Sequence, residues 1–396
     1  MADMTKRTVL ANGAALALVG GAKVLAAQPS QTSPPASGAP DRFRPGQVWR
    51  DTAGKPIQAH GGSLIQVGER FYWYGENKEF TTGKTKVWTW GVRCYTSTDL
   101  YNWDDLGLII APDEADPKSP LSPTGAMLDR PHILYNRRDK TFVCWIKIME
   151  RTGAQTRTVL VADKITGPYR IVRRDLKPLG MNAGDFDLCI SPDDGKAYMY
   201  FERVHSELIC ADLTEDYTDV TGYYSTHFPA HPPLTREGPA YFKRRGKHYL
   251  ATSGMTGYFP NPSEIAVADT FHGPFQVLGD LHPSDRSRSS FNSQICSIFK
   301  HPGKKDLYIA LADRWMGPQE SPAFLSGETS TTLRRAVAKA TAEPRQTLTP
   351  DEQQAMGLVM GKVDTSQARY VWLPITFQKD RPVIAWRDSW SLDEFD

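Results

Sequence analysis

The 396-residue chain carries no glycine-rich phosphate loop, no nucleophile elbow and no HExxH run, which leaves nucleotide, serine-hydrolase and zinc-protease chemistries without their usual residues. Its five cysteines, Cys94, Cys144, Cys189, Cys210 and Cys296, form no CxxC pair and no metal-finger spacing. Each stands in an apolar or strand-like run, where a thiol behaves as a small hydrophobe, and an odd, scattered set gives no disulfide framework. Charge of one sign is also lacking: 47 Lys+Arg against 45 Asp+Glu leave a net +2, with no long run of like charge. Nucleic acid and anionic membrane surfaces are thereby excluded as partners, and a neutral ligand is expected. No long amphipathic helical pattern interrupts the chain; only a short helix is expected, around Asp351 to Met356.

What is abundant is aromatic: 16 Tyr, 16 Phe and 10 Trp, the composition of a strand-rich protein and one suited to stacking on sugar faces. At the N-terminus, Lys6-Arg7 precede a small and apolar run from Val9 to Gly21, and Val24-Leu25-Ala26-Ala27 supplies residues suited to cleavage. The run is too short for a permanent membrane span, and Thr5 to Leu10 approximates a twin-arginine signal with Lys6 in place of the first arginine. The expected organisation is an export signal at residues 1–27, a Ser/Pro-rich linker at 28–41 and one folded domain at 42–396, exported to the periplasm or beyond and acting as a monomer.

From residue 58 onward a unit repeats: an apolar strand, a turn, an aromatic strand, then often an outer strand and a polar corner. Ser63 to Val67 and Phe71 to Tyr74 flank Gly68-Glu69-Arg70; His132 to Tyr135 and Thr141 to Trp145 flank Asn136 to Lys140. Phe186 to Ile190 pairs with Ala197 to Phe201, Ala240 to Phe242 with His248 to Thr252, and Ile295 to Phe299 with Asp306 to Leu311. Corners match as well: Thr98-Asp99-Leu100, Ala162-Asp163-Lys164, Ala211-Asp212-Leu213 and Ala268-Asp269-Thr270, with Gly167-Pro168-Tyr169 echoed by Gly273-Pro274-Phe275. Five such units predict an all-β fold, a five-bladed β-propeller, with Tyr370 to Ile375 and Val383 to Trp386 completing the last blade.

In a propeller the first strand of each blade lines the axis, so the residues entering those strands converge. They are Gln58 to Gly62, Asp129-Arg130-Pro131, Gly184 to Asp187, Arg236 to Pro239 and Phe291 to Gln294. Singly, Asp129 reads as a salt bridge to Arg130, Asp185 as a turn cap and Gln294 as a backbone-bonded strand residue. Together they place polarity at one location in every blade. Two carboxyls across a pocket, one with a raised pKa, are what glycoside hydrolysis requires. Glu237 is the candidate acid, and Asp129 the group that keeps it protonated near neutral pH.

The runs QAHGGSLIQVGERFYWYGEN (58–77), LDRPHILYN (128–136), DFDLCI (185–190), REGPAYFKR (236–244), TSGMTGYFPN (252–261), FNSQ (291–294) and ADRW (312–315) resemble glycoside hydrolase family 43 over about residues 45 to 390. Within it the chain looks closest to the exo-β-1,3-galactanase and galactosidase-like branch. That resemblance implies a propeller, an inverting mechanism and release of galactose from the non-reducing end of galactan side chains, a plant-type polysaccharide substrate. Glu237 matches the general acid and Asp129 the pKa modulator, where the galactanase branch tends to carry Glu. Most of the family has an Asp base directly after an Ala-His pair; here Ala59-His60 is followed by Gly61. In the galactanase-like branch a fifth-blade Gln is thought to hold the attacking water, and Gln294 matches it.

Glu76 matches an acid of the sugar pocket and the alternative proton acceptor, because a neutral amide is no ordinary base. His60, Asp185, Thr256, Arg314 and Trp315 are the further candidate substrate-binding residues, with Trp88, Trp90 and Tyr258 as candidate walls. No cofactor and no metal are expected, although His60 could help hold a structural Ca²⁺ through water as in some relatives. Two other readings stand beside the galactanase: an α-L-arabinofuranosidase or β-D-galactofuranosidase of the same family, and a non-catalytic sugar-binding propeller.

Overall fold

Each repeat in the sequence folds as one blade. The first holds β1 (His60–Val67), β2 (Arg70–Glu76), β3 (Val92–Ser97) and β4 (Asp104–Ile110). The second holds β5 (Met127–Asn136), β6 (Thr141–Met149), β7 (Gln155–Ala162) and β8 (Arg170–Leu176), and the third β9 (Ala183–Ile190), β10 (Ala197–Arg203), β11 (Leu208–Leu213) and β12 (Val220–His227). The fourth comprises β13 (Arg236–Arg244), β14 (Lys247–Gly254), β15 (Glu264–Ala268) and β16 (Gln276–Asp280). The fifth comprises β17 (Gln294–Lys300), β18 (Tyr308–Arg314), β19 (Arg369–Tyr370), β20 (Leu373–Gln378) and β21 (Arg381–Val383). Every sheet is an antiparallel meander, β1 to β4 and so on, with β17-β18-β20-β21 in the last and β19 beside β18. The computed structural model describes residues 40–150, 153–228, 236–317, 331–342 and 346–396. The expected export signal, and the linker up to residue 39, lie outside the described residues.

The blades close into a five-membered ring because their first strands pack in sequence, β1 on β5, β5 on β9, β9 on β13, β13 on β17 and β17 back on β1. Middle strands are sandwiched between neighbouring blades, so β7 is buried along its whole length, its polar first half from Gln155 to Thr158 included. Fourth strands such as β8 and β12 are largely exposed and carry little apolar pattern. The last blade is latched to the start of the fold: Phe43 N–H donates to the Trp390 carbonyl at 2.8 Å and Trp390 N–H to the Phe43 carbonyl at 3.1 Å. Their rings stack at 4.2 Å between centroids, and Trp73, Trp103 and Trp372 extend the same core. Rings of this size bury about 150–250 Å² each. All five cysteines are free and buried.

Several expectations shift in detail. Ala211-Asp212-Leu213 is strand, inside β11; the corner is made further on, where Asp216 accepts from the Thr214 and Thr218 hydroxyls at 2.6 and 2.8 Å. The closing run Val383 to Trp386 contributes only Val383 to β21. Helix exceeds expectation, because the connection from β18 to β19 carries α1 (Thr331–Thr341) as well as α2 (Pro350–Met360). A capping box between Thr349 and Glu352 starts α2, and buried Glu352 ties the pair by ion pairs to Arg335 and Lys339 at 3.0 Å each.

All five first strands are irregular near their start. The register breaks between His60 and Ser63, between Asp129 and His132, opposite Phe201/Arg203 in β9, between Glu237 and Ala240, and between Ile295 and Ser297. Such bulges re-aim side chains and tolerate the prolines, Pro131 and Pro239, that a regular ladder would reject. Glu237 therefore sits within β13, one residue from its start, rather than ahead of the strand.

Candidate active site

Four of the five irregular strand starts, those of β5, β9, β13 and β17, open with the end of β2 on one cavity of about 800 Å³. Its floor carries Glu76, Asp129, Arg130, Asp185, Glu237 and Gln294, and Trp88, Tyr258 and Trp315 stand beside them. Arg130 is the hub, held at a left-handed φ of 48° by the bulge. Its backbone N–H donates to Glu76 Oε1 at 2.8 Å, and Nη2 contacts both Asp185 Oδ2 and Gln294 Oε1 at 2.8 Å. Lys147, directly opposite Asp129 across β5 and β6, pairs with Asp185 at 2.9 Å and approaches Asp129 at 3.8 Å. Lys78 pairs with Glu76 Oε2 at 2.7 Å and lies 3.9 Å from Asp129, whose Oδ1 also accepts from Trp88 Nε1 at 2.6 Å.

Three of the four floor carboxyls, Glu76, Asp129 and Asp185, thus share three cations, Lys78, Arg130 and Lys147, and among the described residues Glu237 has no ion pair. Its carboxyl accepts a hydrogen bond from the Gln294 amide at 3.3 Å. Burial pushes the Glu237 carboxyl well above the usual carboxylate range, the charges of Asp185 and Glu202 push the same way, and Arg130 and Lys147 oppose them. Asp185 moves oppositely: burial alone would raise it, but Arg130 and Lys147 hold it well below its ordinary value. Glu76 is raised to about 7, by burial first, with Lys78 lowering and Asp129 raising it. After burial, the negative charge that raises Glu237 comes from Asp185 and Glu202, while Asp129 raises Glu76.

Gln294 has all four hydrogen-bonding positions filled. Its Oε1 accepts from Arg130 and, at 3.3 Å, from Trp315 Nε1; its Nε2 donates to Ser253 Oγ at 2.8 Å and to Glu237. Guanidinium and indole N–H groups only donate, so the amide has one possible orientation.

Gly61 explains the missing first-blade acid: at φ +62° its absent Cβ would overlap Glu76 Oε1, so the Glu76 carboxylate occupies the space that a side chain at residue 61 would take.

The structure gathers Glu76, Asp129, Asp185, Glu237, Gln294 and Trp315 on the cavity, and sets four other candidates elsewhere. His60 is fully buried behind it, Nδ1 on Asp313 at 2.9 Å and Nε2 against the Tyr370 hydroxyl at 3.2 Å, so neither nitrogen is available to a cation. Thr256 braces its own loop, bonding Phe259 and Asn261. Arg314 donates to the Asn292 and Phe291 carbonyls on the far side of β18, and Trp90 packs on Phe80. Motif position alone marks a residue as near the site without saying which way it faces. Arg236, the neighbour of Glu237 in sequence, pairs with Glu264 and not with Glu237. Among the described residues no group of three or more His, Cys, Asp or Glu is placed to hold a metal. Sequence reading missed Lys78, Lys147, Glu202 and Ser253; counting the β5–β6 hairpin back from its turn would have set Lys147 within one residue of Asp129.

A five-bladed propeller with a buried carboxyl raised above its ordinary range, further carboxylates beside it and aromatic walls at one end of its axis has the parts a sugar-cleaving enzyme requires. The chain belongs to glycosyl hydrolases family 43, which it matches over residues 55–319, and is a glycoside hydrolase by that membership. Among solved structures it is similar to a family 43 β-1,3-galactosidase, with 26% identity and a TM-score of 0.71 over 90% of this chain and 64% of that one. A second family 43 β-1,3-galactosidase, solved with galactodeoxynojirimycin, is 27% identical at TM-score 0.69, over 88% of this chain and 100% of that one. An exo-β-1,3-galactanase from Phanerochaete chrysosporium with galactose is 26% identical at TM-score 0.69, over 89% and 68%. Among curated proteins, xylosidase/arabinosidase 43B from Humicola insolens is 24% identical over 232 residues, 54% of this chain and 39% of that protein. The match thus takes in about two fifths of the curated relative and under two thirds of the first galactosidase.

Proposed function

We propose that the chain is an exported, exo-acting, inverting galactosidase that releases galactose from the non-reducing end of β-1,3-linked, galactan-type chains, acting as a monomer on plant-type polysaccharide. The observation that carries this is the replacement at Gly61: the Glu76 carboxylate fills the place of the absent side chain and is joined through Arg130 and Gln294 to the acid Glu237. The two β-1,3-galactosidases and the exo-β-1,3-galactanase among its neighbours support the choice of sugar. Glu237 gives its proton to the glycosidic oxygen as the bond to the anomeric carbon breaks. Water attacks that carbon from the opposite face and loses a proton to Glu76, whose pKa of about 7 suits a base near neutral pH. Gln294, with its amide saturated, holds Glu237 and Arg130 in register rather than taking the proton. The indoles of Trp88 and Trp315 and the Tyr258 ring offer apolar faces to the sugar.

The test is hydrolysis of β-1,3-galactooligosaccharides followed by proton NMR of the first product. Free α-galactose appearing one residue at a time supports the reading. Release only from arabinofuranosides or galactofuranosides would transfer the activity to those substrates, and binding without turnover would make the chain a sugar-binding propeller.

A further inference from the structure

Half of the chain's ten methionines line this one cavity: Met127, Met149, Met255, Met356 and Met360. Met127 and Met149 are a direct cross-strand pair, two residues outward from the Asp129–Lys147 pair on the same hairpin. Residues two apart on a strand share a face and are separated by about 7 Å, so the thioethers form the next layer above the charged floor. Met255 stands two residues beyond Ser253, which pairs with Glu237, and so takes the same step outward on the fourth blade. The facing wall is α2. Its Met360 packs where a Cβ on Gly257 would approach within 3.1 Å, and its Leu358 remains 65% exposed.

Polar side chains such as Lys86, Glu150 and Gln353 also line the cavity, but the thioethers are weak acceptors without donors and match a sugar's hydroxyls poorly. They offer instead a polarizable surface that adapts to apolar and aromatic shapes. We propose that the outer layer of the cavity is a leaving-group subsite for an apolar or aromatic aglycone, so that the enzyme takes aryl and alkyl galactosides besides galactan-type chains. The inference rests on the galactosidase reading above.

Methyl, phenyl and 2-naphthyl 1-thio-β-galactosides, which are not cleaved, report the subsite as inhibitors of β-1,3-galactobiose hydrolysis, free of any leaving-group effect. The inhibition constant is expected to fall about tenfold from methyl to naphthyl, as burial of a ring against methionines predicts. Met127→Gln and Leu358→Gln should remove most of that gain, and Met127→Leu and Leu358→Met should retain it. Equal constants for methyl and naphthyl, or a gain that survives both Gln variants, overturn the subsite while leaving the galactosidase intact. Failure of the parent to hydrolyse galactobiose or to bind any of the three removes the galactosidase reading, and this inference with it.

Discussion

Glu237 and Glu76 lie on one polar network yet have opposite duties, and the difference is set by their neighbours. Glu76 has Lys78 at 2.7 Å and can hold a charge; Glu237 has an amide and two nearby carboxylates and keeps its proton. The base must be ionised and the acid protonated. Turnover (kcat/KM) should therefore rise as pH passes about 7, with Glu76, and fall again as pH passes the raised pKa of Glu237. Glu237→Gln should cost roughly 10²–10⁴-fold in kcat with substrates whose leaving group needs a proton, and Glu76→Gln should abolish the acidic limb. Gln294→Glu would add a negative charge beside Glu237 and move the alkaline limb to higher pH. A pH–rate series on these three variants checks the assignment; an alkaline limb unmoved by Gln294→Glu would detach that residue from the acid. Glu237 itself was legible in the sequence, because a lone acid ahead of an aromatic hairpin recurs in kind from blade to blade. Its charge partners were not, because Asp185 and Glu202 stand 52 and 35 residues away along the chain and meet it only through blade packing.

At the level of elements, the first strand of four of the blades does two things at once: it closes the ring and presents a polar residue to the cavity, while in the first blade Glu76 comes from β2. A regular strand cannot do both, since successive side chains alternate faces, and the bulges resolve the conflict. The two glycines of β1 separate the roles. A Cβ on Gly62 would run into the Tyr74 backbone carbonyl, which cannot move without parting β1 from β2. A Cβ on Gly61 meets only the end of the Glu76 side chain. Gly62→Ala should therefore fail to fold, whereas Gly61→Ala should fold with about 1–2 kcal/mol lost to its left-handed backbone and with Glu76 displaced from Arg130. Thermal unfolding and kcat together distinguish them; a stable, active Gly62→Ala protein would contradict the bulge geometry. The hairpins of the inner two strands were readable because they are apolar on both faces. The outermost strands and α1 were not, since exposed strands lose their alternation and α1 lies in the long connection between β18 and β19, outside the repeating strand pattern.

For the molecule as a whole, closure depends on residues separated by nearly the full folded length. Phe43 pairs with Trp390, β20 pairs with β18, and Trp73 packs on Trp372 at 4.5 Å. Removing residues 370–396 takes away β20, β21 and two of the buried indoles. The shortened protein should show no cooperative thermal transition and should lose activity, because the last blade also holds Gln294, Asp313 and Trp315; a soluble, active fragment ending near residue 365 would refute this.

Composition and repetition by themselves determined a five-fold β architecture and the common end at which its polar residues meet, and singled out Glu237 as the candidate acid. Those follow from local pattern: apolar runs of strand length, turns at regular spacing and the same polar interruption each time. Only the tertiary structure decided that His60, Thr256 and Arg314 face away, that Asp185 and Glu202 rather than Asp129 supply the charge beside Glu237, and that Glu76 stands in the space above Gly61. The reason is physical. Strand pattern fixes which residues arrive at the axis, whereas the bulge in each strand and the packing of one blade on the next fix the direction in which each side chain points.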